Sequence, residues 1–397
     1  MKRRLSSHAA AAVPLLCVAA ALLMRETNAA ETRKPTIRKV TDLVIYQDDR
    51  FYSAFPSVVR RPDGELLVAF RRAPNRRLLG EPGNQHTDPN SQLVLVRSRD
   101  AGKTWSQPPE LIYAHPFGGS QDPCLAQLRD GTLVCSSYGW ALLNANHAAR
   151  MTNSLRHGAY VFLGGYLLRS LDAGHSWQGP LLPPHVGADT TRDIFGEPVP
   201  AYNRGAMCEA SDGRLFWAVA ASTGTEPRRS ETHLLVSTNQ AQSWSYACPV
   251  ATDPKVTFNE TSLYETLKGD LLAFMRTANF DDRTVVARSV DGGSTFQPWQ
   301  DTGWRGHPHH ALRLPDHRIF LVYGYRHAPF GIRARVLDAE GADVQSAEES
   351  VLRTDGGNAD LGYPWATLLP ENRVLVVYYF NLADGTRHIA GTVLEVH

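Results

Sequence analysis

"ETSLYETLKGDLLAFM", residues 260–275, consists of two apolar segments joined by a Lys-Gly turn. The same pattern of apolar segment, Asp-Gly-like turn and apolar segment occurs six times without internal gaps. The other copies are "FPSVVRRPDGELLVAF" (55–70), "DPCLAQLRDGTLVCSS" (122–137), "RGAMCEASDGRLFWAV" (204–219), "PHHALRLPDHRIFLVY" (308–323) and "YPWATLLPENRVLVVY" (363–378). Segments rich in Val, Leu, Phe and Tyr and bounded by turn residues are typical of β-hairpins.

A second motif follows most copies and has the form Ser-x-Asp/Asn-x-x-x-Ser/Thr-Trp/Phe. It occurs as "RSRDAGKTW" (97–105), "RSLDAGHSW" (169–177), "VSTNQAQSW" (236–244) and "RSVDGGSTF" (288–296), with a decayed copy at 335–343. Two hairpins per unit and six units predict an all-β fold, a six-bladed β-propeller of four-stranded antiparallel blades. We expect one domain over residues 31–397, with long surface insertions at 72–92, 139–160 and 178–202.

The composition and the N-terminus indicate an exported protein. Residues 1–30 have a basic start, a short apolar run and small residues before a cleavage site after Ala29 or Ala30, as in a secretory signal peptide. A single membrane anchor is the alternative, but the run is short and no second apolar stretch follows. We therefore expect a secreted or periplasmic protein without a membrane span after signal removal. The formal net charge of +1 gives no indication of nucleic-acid binding.

The up-and-down order of strands in a blade sorts residues by face. The start of strand 1 and the end of strand 2 lie on the side opposite the Asp-Gly turns, so these positions should ring one mouth of the central funnel. They are Phe55, Asp122, Arg204, Glu260, Pro308 and Tyr363 at the strand starts, and Arg71, Tyr138, Ala220, Arg276, Gly324 and Tyr379 at the strand ends. Charged and phenolic groups that converge on one concavity indicate a ligand site.

These motifs, with "NETSLYETLKGDLLAFMR" (259–276) and "GYPWATLLPENRVLVVYY" (362–379), resemble the sialidase (neuraminidase) superfamily over essentially the whole mature chain. The resemblance implies that Tyr363 is the nucleophile, Glu260 its base and Asp88, in the first long loop, the acid/base. It also implies three arginines that clamp the substrate carboxylate. Arg276 matches one of them, and Arg333 is our choice for a second, with Arg326 and Arg335 as competitors.

The chain departs from the family pattern in the first blade. Sialidases carry Phe/Tyr-Arg-Ile-Pro there, whereas "YSAFPSV" (52–58) has Ala54 at the arginine position, so Arg71 or Arg72 would have to replace that member. Asp122 and Arg204 either contact the substrate or pair with each other. His309 is expected to line the funnel as a hydrogen-bonding group rather than to bind metal, and Trp140 is a candidate for sugar stacking.

The predicted function is that of a secreted exo-glycosidase that cleaves a terminal acidic sugar, with sialic acid as the preferred candidate. The reaction retains the anomeric configuration through a Tyr-linked intermediate. No cofactor and no metal-binding residues are expected, a calcium requirement stays open, and the partner is a glycan or glycoconjugate. One alternative is a propeller hydrolase or lyase for another sugar, such as an arabinan or a uronic-acid polymer, which the missing arginine favours. The other alternative is a carbohydrate-binding propeller without catalysis. The linkage and the oligomeric state stay open.

Overall fold

Six antiparallel sheets follow one another along the chain, as the six hairpin repeats predict. The computed structural model describes residues 36–81, 86–223, 229–382 and 385–397. The predicted signal peptide at 1–30 lies outside these ranges. The first described strand pairs with the last one, which makes it the outermost strand of the sixth blade and joins the two ends of the propeller.

The strands run in chain order through the blades. After β1 (Ile37–Tyr46), the first blade contains β2 (Phe51–Arg60), β3 (Leu66–Pro74), β4 (Gln92–Ser98) and β5 (Glu110–Tyr113). The second contains β6 (Gly119–Gln127), β7 (Leu133–Leu142), a short β8 (Arg156–His157), β9 (Tyr160–Ser170) and β10 (Gln178–Leu181). The third contains β11 (Cys208–Glu209), β12 (Leu215–Thr223), β13 (Arg229–Ser237) and β14 (Ser245–Ala251).

The remaining three blades are more regular. The fourth contains β15 (Phe258–Glu265), β16 (Leu271–Thr277), β17 (Arg283–Ser289) and β18 (Gln300–Arg305). The fifth contains β19 (His309–Arg313), β20 (Ile319–Tyr325), β21 (Gly331–Leu337) and β22 (Glu349–Arg353). The sixth contains β23 (Gly362–Leu368), β24 (Arg373–Asn381) and β25 (Arg387–Val396), with β1 outside them. Helical residues are confined to α1 (Ala145–Ala148) and the 3-10 turns Arg76–Leu79 and Pro370–Asn372 among the described residues.

Apolar side chains fill the space between neighbouring blades. Trp217, Phe274 and Phe320 are fully buried on the second strands of the third, fourth and fifth blades. Each second strand is covered on both faces, which explains why its sequence is almost continuously apolar instead of alternating. This packing fixes the inner strands, and the inner strands carry the funnel residues.

The Asp-box motifs form closed turns between the third and fourth strands, on the face opposite the funnel mouth. In the first of them the Asp100 carboxylate accepts hydrogen bonds from the Thr104 hydroxyl at 2.6 Å and the Thr104 amide at 2.9 Å. These bonds lower the pKa of Asp100 to about 2. The motif therefore has a structural role in the turns.

Two further features concern membrane-crossing helices and the cysteines. Within the described ranges, no helix is both long and apolar enough to cross a membrane. The four cysteines of these ranges, Cys124, Cys135, Cys208 and Cys248, all carry free thiols.

Candidate active site

The central pair of the funnel mouth is Tyr363 and Glu260. The Tyr363 hydroxyl donates to a Glu260 carboxylate oxygen at 2.5 Å. Arg276 donates to the other Glu260 oxygen at 2.7 Å and also lies 3.2 Å from the Tyr363 hydroxyl. The hairpin β15–β16 explains the contact between Glu260 and Arg276, since both residues lie at its open end. Tyr363 comes from the sixth blade, so strands that are far apart in sequence build the cluster together.

The charges of this cluster place the shared proton on the tyrosine. Burial opposes ionisation of Glu260, but Arg276 and the Tyr363 hydroxyl lower the pKa of this carboxyl to about 2. Burial, followed by the charge of Glu260, raises the pKa of Tyr363 well above its ordinary value. The resting state is a neutral phenol that donates to a carboxylate.

Local backbone irregularities aim the funnel side chains inward. The inner strands β2, β6, β15 and β23 each have a bulge, and the bulges contain Phe55, Asp122, Glu260 and Tyr363 respectively. Three of these residues have positive φ angles: 57° at Phe55, 31° at Asp122 and 53° at Tyr363. Non-glycine residues rarely adopt this conformation, and strain of this kind concentrates at functional sites.

Two more guanidinium groups flank the Tyr363 ring. Arg326 lies 5.2 Å and Arg204 5.3 Å from the ring centre. Arg326 is held in place by the Tyr379 hydroxyl at 2.7 Å and the Leu361 carbonyl at 3.0 Å. Arg204 donates to the Pro56 carbonyl at 2.9 Å. Both cations are therefore held in position beside the phenol.

Asp360 supports this arrangement from outside the cavity. Its carboxylate accepts from the Tyr379 hydroxyl at 2.9 Å and from Arg387 at 2.9 Å. Tyr379 in turn accepts from Arg326, so the chain Arg387–Asp360–Tyr379–Arg326 holds the clamp arginine. Asp360 thus acts on the site through Tyr379.

Arg71 reaches the funnel and Arg72 does not. Arg71 pairs in register with Ala54, is fully buried and lies over the Tyr52 ring at 5.4 Å. Its charge lowers the pKa of His86, a neighbour in the funnel, after the larger effect of the surrounding funnel walls. The Arg72 guanidinium instead covers the Phe51 ring at 4.3 Å, because successive side chains of a strand point to opposite faces.

Asp122 is a buried carboxyl on the inner strand of the second blade. One oxygen accepts from the Tyr138 hydroxyl at 2.8 Å, and the other has no hydrogen-bond partner among the described residues. Burial raises the pKa of Asp122 to about 6, and the charge of Arg204 limits that rise. No direct bond joins Asp122 to Arg204 among the described contacts, so the structural ion pair that the sequence left open is not formed.

His86 is a funnel residue that the sequence analysis missed. Its ring lies edge-on to Phe55 at 5.0 Å, and it lines the same cavity as Glu260 and Arg204. The residue is exposed to the open mouth, and the surrounding funnel walls, followed by the charge of Arg71, lower the pKa of His86 below its ordinary value. His86 belongs to no strand and to no repeat, and the sequence therefore offered no positional signal for it.

Two predicted site residues lie elsewhere. Arg333 is buried between the outer strands of the fifth blade, where it donates to the Arg353 carbonyl at 2.9 Å and covers the Tyr325 ring at 4.7 Å. His309 is buried between the fourth and fifth blades and its Nε2 lies 2.8 Å from the Thr284 hydroxyl. The choice of Arg333 as a clamp residue was wrong, as was a funnel-lining position for His309, and Arg326 occupies the position beside Tyr363.

Asp88 lies in the first long loop, as the resemblance implies, but its carboxylate is occupied. Arg76 donates to it through two nitrogens, at 2.7 and 3.1 Å, and the backbone N–H of Asn90 donates to it at 2.8 Å. Its side chain is buried, and neither Asp88 nor Asp122 is among the residues that line the cavity beside Glu260. Of these two carboxyl groups, Asp122 has an oxygen without a hydrogen-bond partner among the described residues, whereas both oxygens of Asp88 accept hydrogen bonds.

A cavity of about 300 Å³ opens beside the Tyr363–Glu260 pair. His86, Arg204 and Glu260 line it. Four aromatic residues that contact one another, Tyr138, Trp140, Phe162 and Tyr202, form an aromatic wall, and polar groups such as Asn259 and Arg229 also line the cavity. Aromatic side chains together with hydrogen-bonding groups suit a sugar, which has apolar C–H faces and polar edges. Among the described residues, no cluster of three or more His, Cys, Asp or Glu side chains could hold a metal ion.

Comparison with known proteins agrees with this architecture. Six antiparallel blades of four strands, with the short β8 as a fifth strand in the second blade, and Asp-box turns define a sialidase-like BNR propeller. The model of the BNR repeat-like domain family matches residues 153–374, more than half of the chain, and the chain belongs to this family. A search of curated proteins gave no match.

Solved structures with this fold include proteins at very different distances. A Dyadobacter fermentans protein of unknown function is 56% identical, with a TM-score of 0.89 over 91% of this chain and 99% of that one. The NanB sialidase of Streptococcus pneumoniae is 16% identical, with a TM-score of 0.63 over 89% and 70%. A leech intramolecular trans-sialidase is 14% identical, with a TM-score of 0.58 over 89% and 70%. At such low identities the two enzymes share the fold alone.

Proposed function

We propose that this protein is an exo-acting glycoside hydrolase that removes a terminal acidic sugar, sialic acid or a near relative, with retention of configuration. The observation that carries the proposal is the 2.5 Å hydrogen bond from Tyr363 to Glu260, with Arg276 3.2 Å from the same phenol oxygen. A phenol attacks a carbon only when a base takes its proton. A site for binding alone needs no such pair.

In the first step, the Tyr363 oxygen forms a bond to the anomeric carbon while its proton moves to Glu260. The low pKa of Glu260 makes this transfer unfavourable in the resting site, so it occurs as positive charge develops on the sugar ring. In the transition state, Arg276, Arg204 and Arg326 stabilise the partial negative charge on the phenol oxygen, and they also stabilise the sugar carboxylate. In the second step, water replaces the phenol at the same carbon and Glu260 returns the proton.

The leaving oxygen needs a proton donor, and the geometry supports Asp122 for this role. Its pKa of about 6 leaves it protonated in weakly acid solution, and one oxygen is not engaged by any described side chain. After the glycosidic bond breaks, the same carboxylate can take a proton from the attacking water. Asp88, which the family resemblance implies for this role, is held by Arg76 and is the alternative.

The arrangement of arginines supports an anionic substrate. Four arginines, Arg71, Arg204, Arg276 and Arg326, lie at the mouth with the carboxylate of Glu260 and the partly protonated Asp122, while the nearby Asp360 is already bound by Arg387. A protein named as a sialidase and one named as a trans-sialidase share the fold, which is consistent with an acidic sugar as substrate. Arg71 lies directly opposite Ala54 and takes the place of the family's first-blade arginine in this proposal.

The test is hydrolysis of 4-methylumbelliferyl α-sialoside by the purified protein. We expect turnover by the wild type, the α anomer as the first product by NMR, which shows retention, and a loss of kcat of about a thousandfold or more in Tyr363→Phe. Arg60→Gln, an exposed change at the far end of β2, is the matched control. Turnover that Tyr363→Phe leaves intact would contradict the proposed nucleophile.

A second candidate is a lyase for uronic-acid polymers, and His86 is the observation that favours it. A neutral imidazole next to Arg71 and Arg326 could remove the proton beside a sugar carboxylate whose charge the arginines neutralise. Electrons from that C–H bond form a C=C bond while the glycosidic C–O bond breaks, and the proton taken up by His86 passes to the leaving oxygen. The unsaturated product absorbs ultraviolet light, so absorbance on a polyuronate distinguishes elimination from hydrolysis.

We also propose that the protein is secreted or periplasmic and that residues 1–30 are removed on export. N-terminal sequencing of the protein recovered from an expressing cell tests this directly. A mature start at Ala30 or Glu31 is expected. A full-length chain in the membrane fraction would favour the single-anchor alternative.

A further inference from the structure

Two exposed phenylalanines stand on the funnel side of the second blade. Phe117 lies in the connection between β5 and β6 and Phe195 in the connection between β10 and β11, with 61% and 69% of their surfaces exposed. Their rings contact each other edge to face, with centres 6.0 Å apart. Strand order places both connections at the mouth, because each leads from the end of a fourth strand to the next inner strand.

Both rings are carried by turns with their own hydrogen bonds. The Phe117 amide donates to His115 Nδ1 at 3.2 Å. The Phe195 amide donates to the Asp193 carboxylate at 2.8 Å, and the same carboxylate accepts from the Glu197 amide at 2.9 Å. The backbone of both turns is thus held before any ligand arrives, and the edge-to-face contact joins the two rings, which lowers the entropy cost of binding.

The pair is continuous with the aromatic wall of the cavity. Gly118, next to Phe117, packs so tightly on Trp140 that a Cβ atom there would lie 2.0 Å from the Trp140 carbonyl oxygen. Val199, in the same connection as Phe195, is buried in one cluster with Trp140 and Phe162. The residues next to the exposed pair therefore pack directly on the wall.

We propose that Phe117 and Phe195 form an outer subsite for the glycan that is attached to the terminal sugar. An exposed aromatic surface beside a cavity marks an interaction site, and the C–H faces of a pyranose ring suit the face and edge of such a ring pair. The occupant is the second or third sugar of an oligosaccharide. This inference rests on the proposed function, since the terminal sugar is placed in the cavity next to Tyr363.

The test compares two substrates that share a terminal sugar. In 4-methylumbelliferyl sialoside only the terminal unit is a sugar, whereas the trisaccharide 3′-sialyllactose continues with two more. We expect Phe117→Ala/Phe195→Ala to raise KM for the trisaccharide about tenfold with kcat unchanged, and to leave the kinetics of the aryl sialoside unaltered. Leu111→Ala/Val351→Ala, which removes equally exposed apolar groups from outer strands, is the control.

A binding measurement separates this inference from the proposed function. Calorimetric titration of the same trisaccharide into Tyr363→Phe protein, with and without the Phe pair, does not need turnover. Equal KM and affinity with and without the pair would overturn the subsite even if hydrolysis is confirmed. Loss of affinity without the pair would support the subsite even if no sialoside is cleaved. If the wild type is a dimer and the double variant is a monomer, the pair binds a second copy of the protein. That outcome would overturn the subsite.

Discussion

At the scale of single residues, one carboxyl group of the funnel differs from the others in its environment. Glu260 is held ionised by Arg276, Asp360 is bound by Arg387 and Tyr379, and Asp88 is bound by Arg76. Asp122 combines a raised pKa with an oxygen that no described side chain engages. A general acid must carry a proton and must not be committed to another partner, and Asp122 meets these two conditions although its side chain is fully buried.

This difference predicts how Asp122→Asn depends on the leaving group. For the trisaccharide, kcat/KM should fall by about 10²–10⁴, because a sugar alkoxide leaves only when it is protonated. For the aryl sialoside, kcat/KM should change little, because a phenolate leaves without a proton. Steady-state kinetics on both substrates measures the ratio.

Asp88→Asn is the comparison that decides between the two carboxyl groups. It should destabilise the first loop by breaking the contact with Arg76, and it should affect both substrates equally. A leaving-group effect in Asp88→Asn and none in Asp122→Asn would return the acid/base role to the residue that the family resemblance implies.

The sequence predicted Glu260, Arg276 and Tyr363 because hairpin register alone brings the first two together and strand order brings the third to the same mouth. It could not decide among Arg326, Arg333 and Arg335, because nothing in a sequence says where a strand ends and its side chains leave the sheet. Arg326 follows the last residue of β20 and can turn into the funnel, whereas Arg333 lies within β21. His86 could not be found at all, since loop conformation places it.

At the scale of elements, the fifth blade separates a structural arginine from a clamp arginine. Arg333→Met should lower the free energy of unfolding by about 1–3 kcal/mol, because it removes the bond to the Arg353 carbonyl from a buried position. It should leave KM unchanged. Arg326→Met should raise KM for the acidic substrate, since that guanidinium lies beside Tyr363. Chemical denaturation and kinetics on both variants measure the two effects, and a raised KM in Arg333→Met would contradict this assignment.

The bulge of β23 gives a second prediction at this scale. Gly362 has a φ of 107°, and an added Cβ would lie 3.1 Å from the Cα of Gly324. Gly362→Ala should therefore cost about 1–3 kcal/mol of stability and displace Tyr363 from Glu260. We expect kcat to fall about ten- to hundredfold, because small displacements of reacting groups lower the rate by such factors.

Gly131→Ala, also at positive φ but in an open turn on the opposite face, is the control for backbone strain without displacement. An equal loss of kcat in both variants would mean that the bulge does not position the nucleophile.

At the scale of the whole molecule, the propeller brings charges from all parts of the chain to one mouth. Arg71 comes from the first blade, Asp122 from the second, Glu260 from the fourth and Tyr363 from the sixth. Closure by β1 keeps the first and sixth blades in contact, and with them Phe55 and Tyr363, whose ring centres are 4.8 Å apart. The repeat made this architecture predictable from sequence, whereas the pKa values follow from burial and from pairs that only the folded molecule creates.

These charges predict the pH dependence of the enzyme. Glu260 has a pKa of about 2 and stays ionised as the base over the usual range, whereas Asp122, with a pKa of about 6, must be protonated to act as the acid. With the trisaccharide as substrate, kcat/KM should therefore be flat below a pH of about 6 and fall about tenfold per pH unit above it, since this parameter reports the free enzyme. The aryl sialoside, which needs no proton, should lack the decline, and Asp122→Asn should abolish it for the trisaccharide. A decline that persists in Asp122→Asn would show that another group titrates in this range and would contradict the assignment of the acid to Asp122.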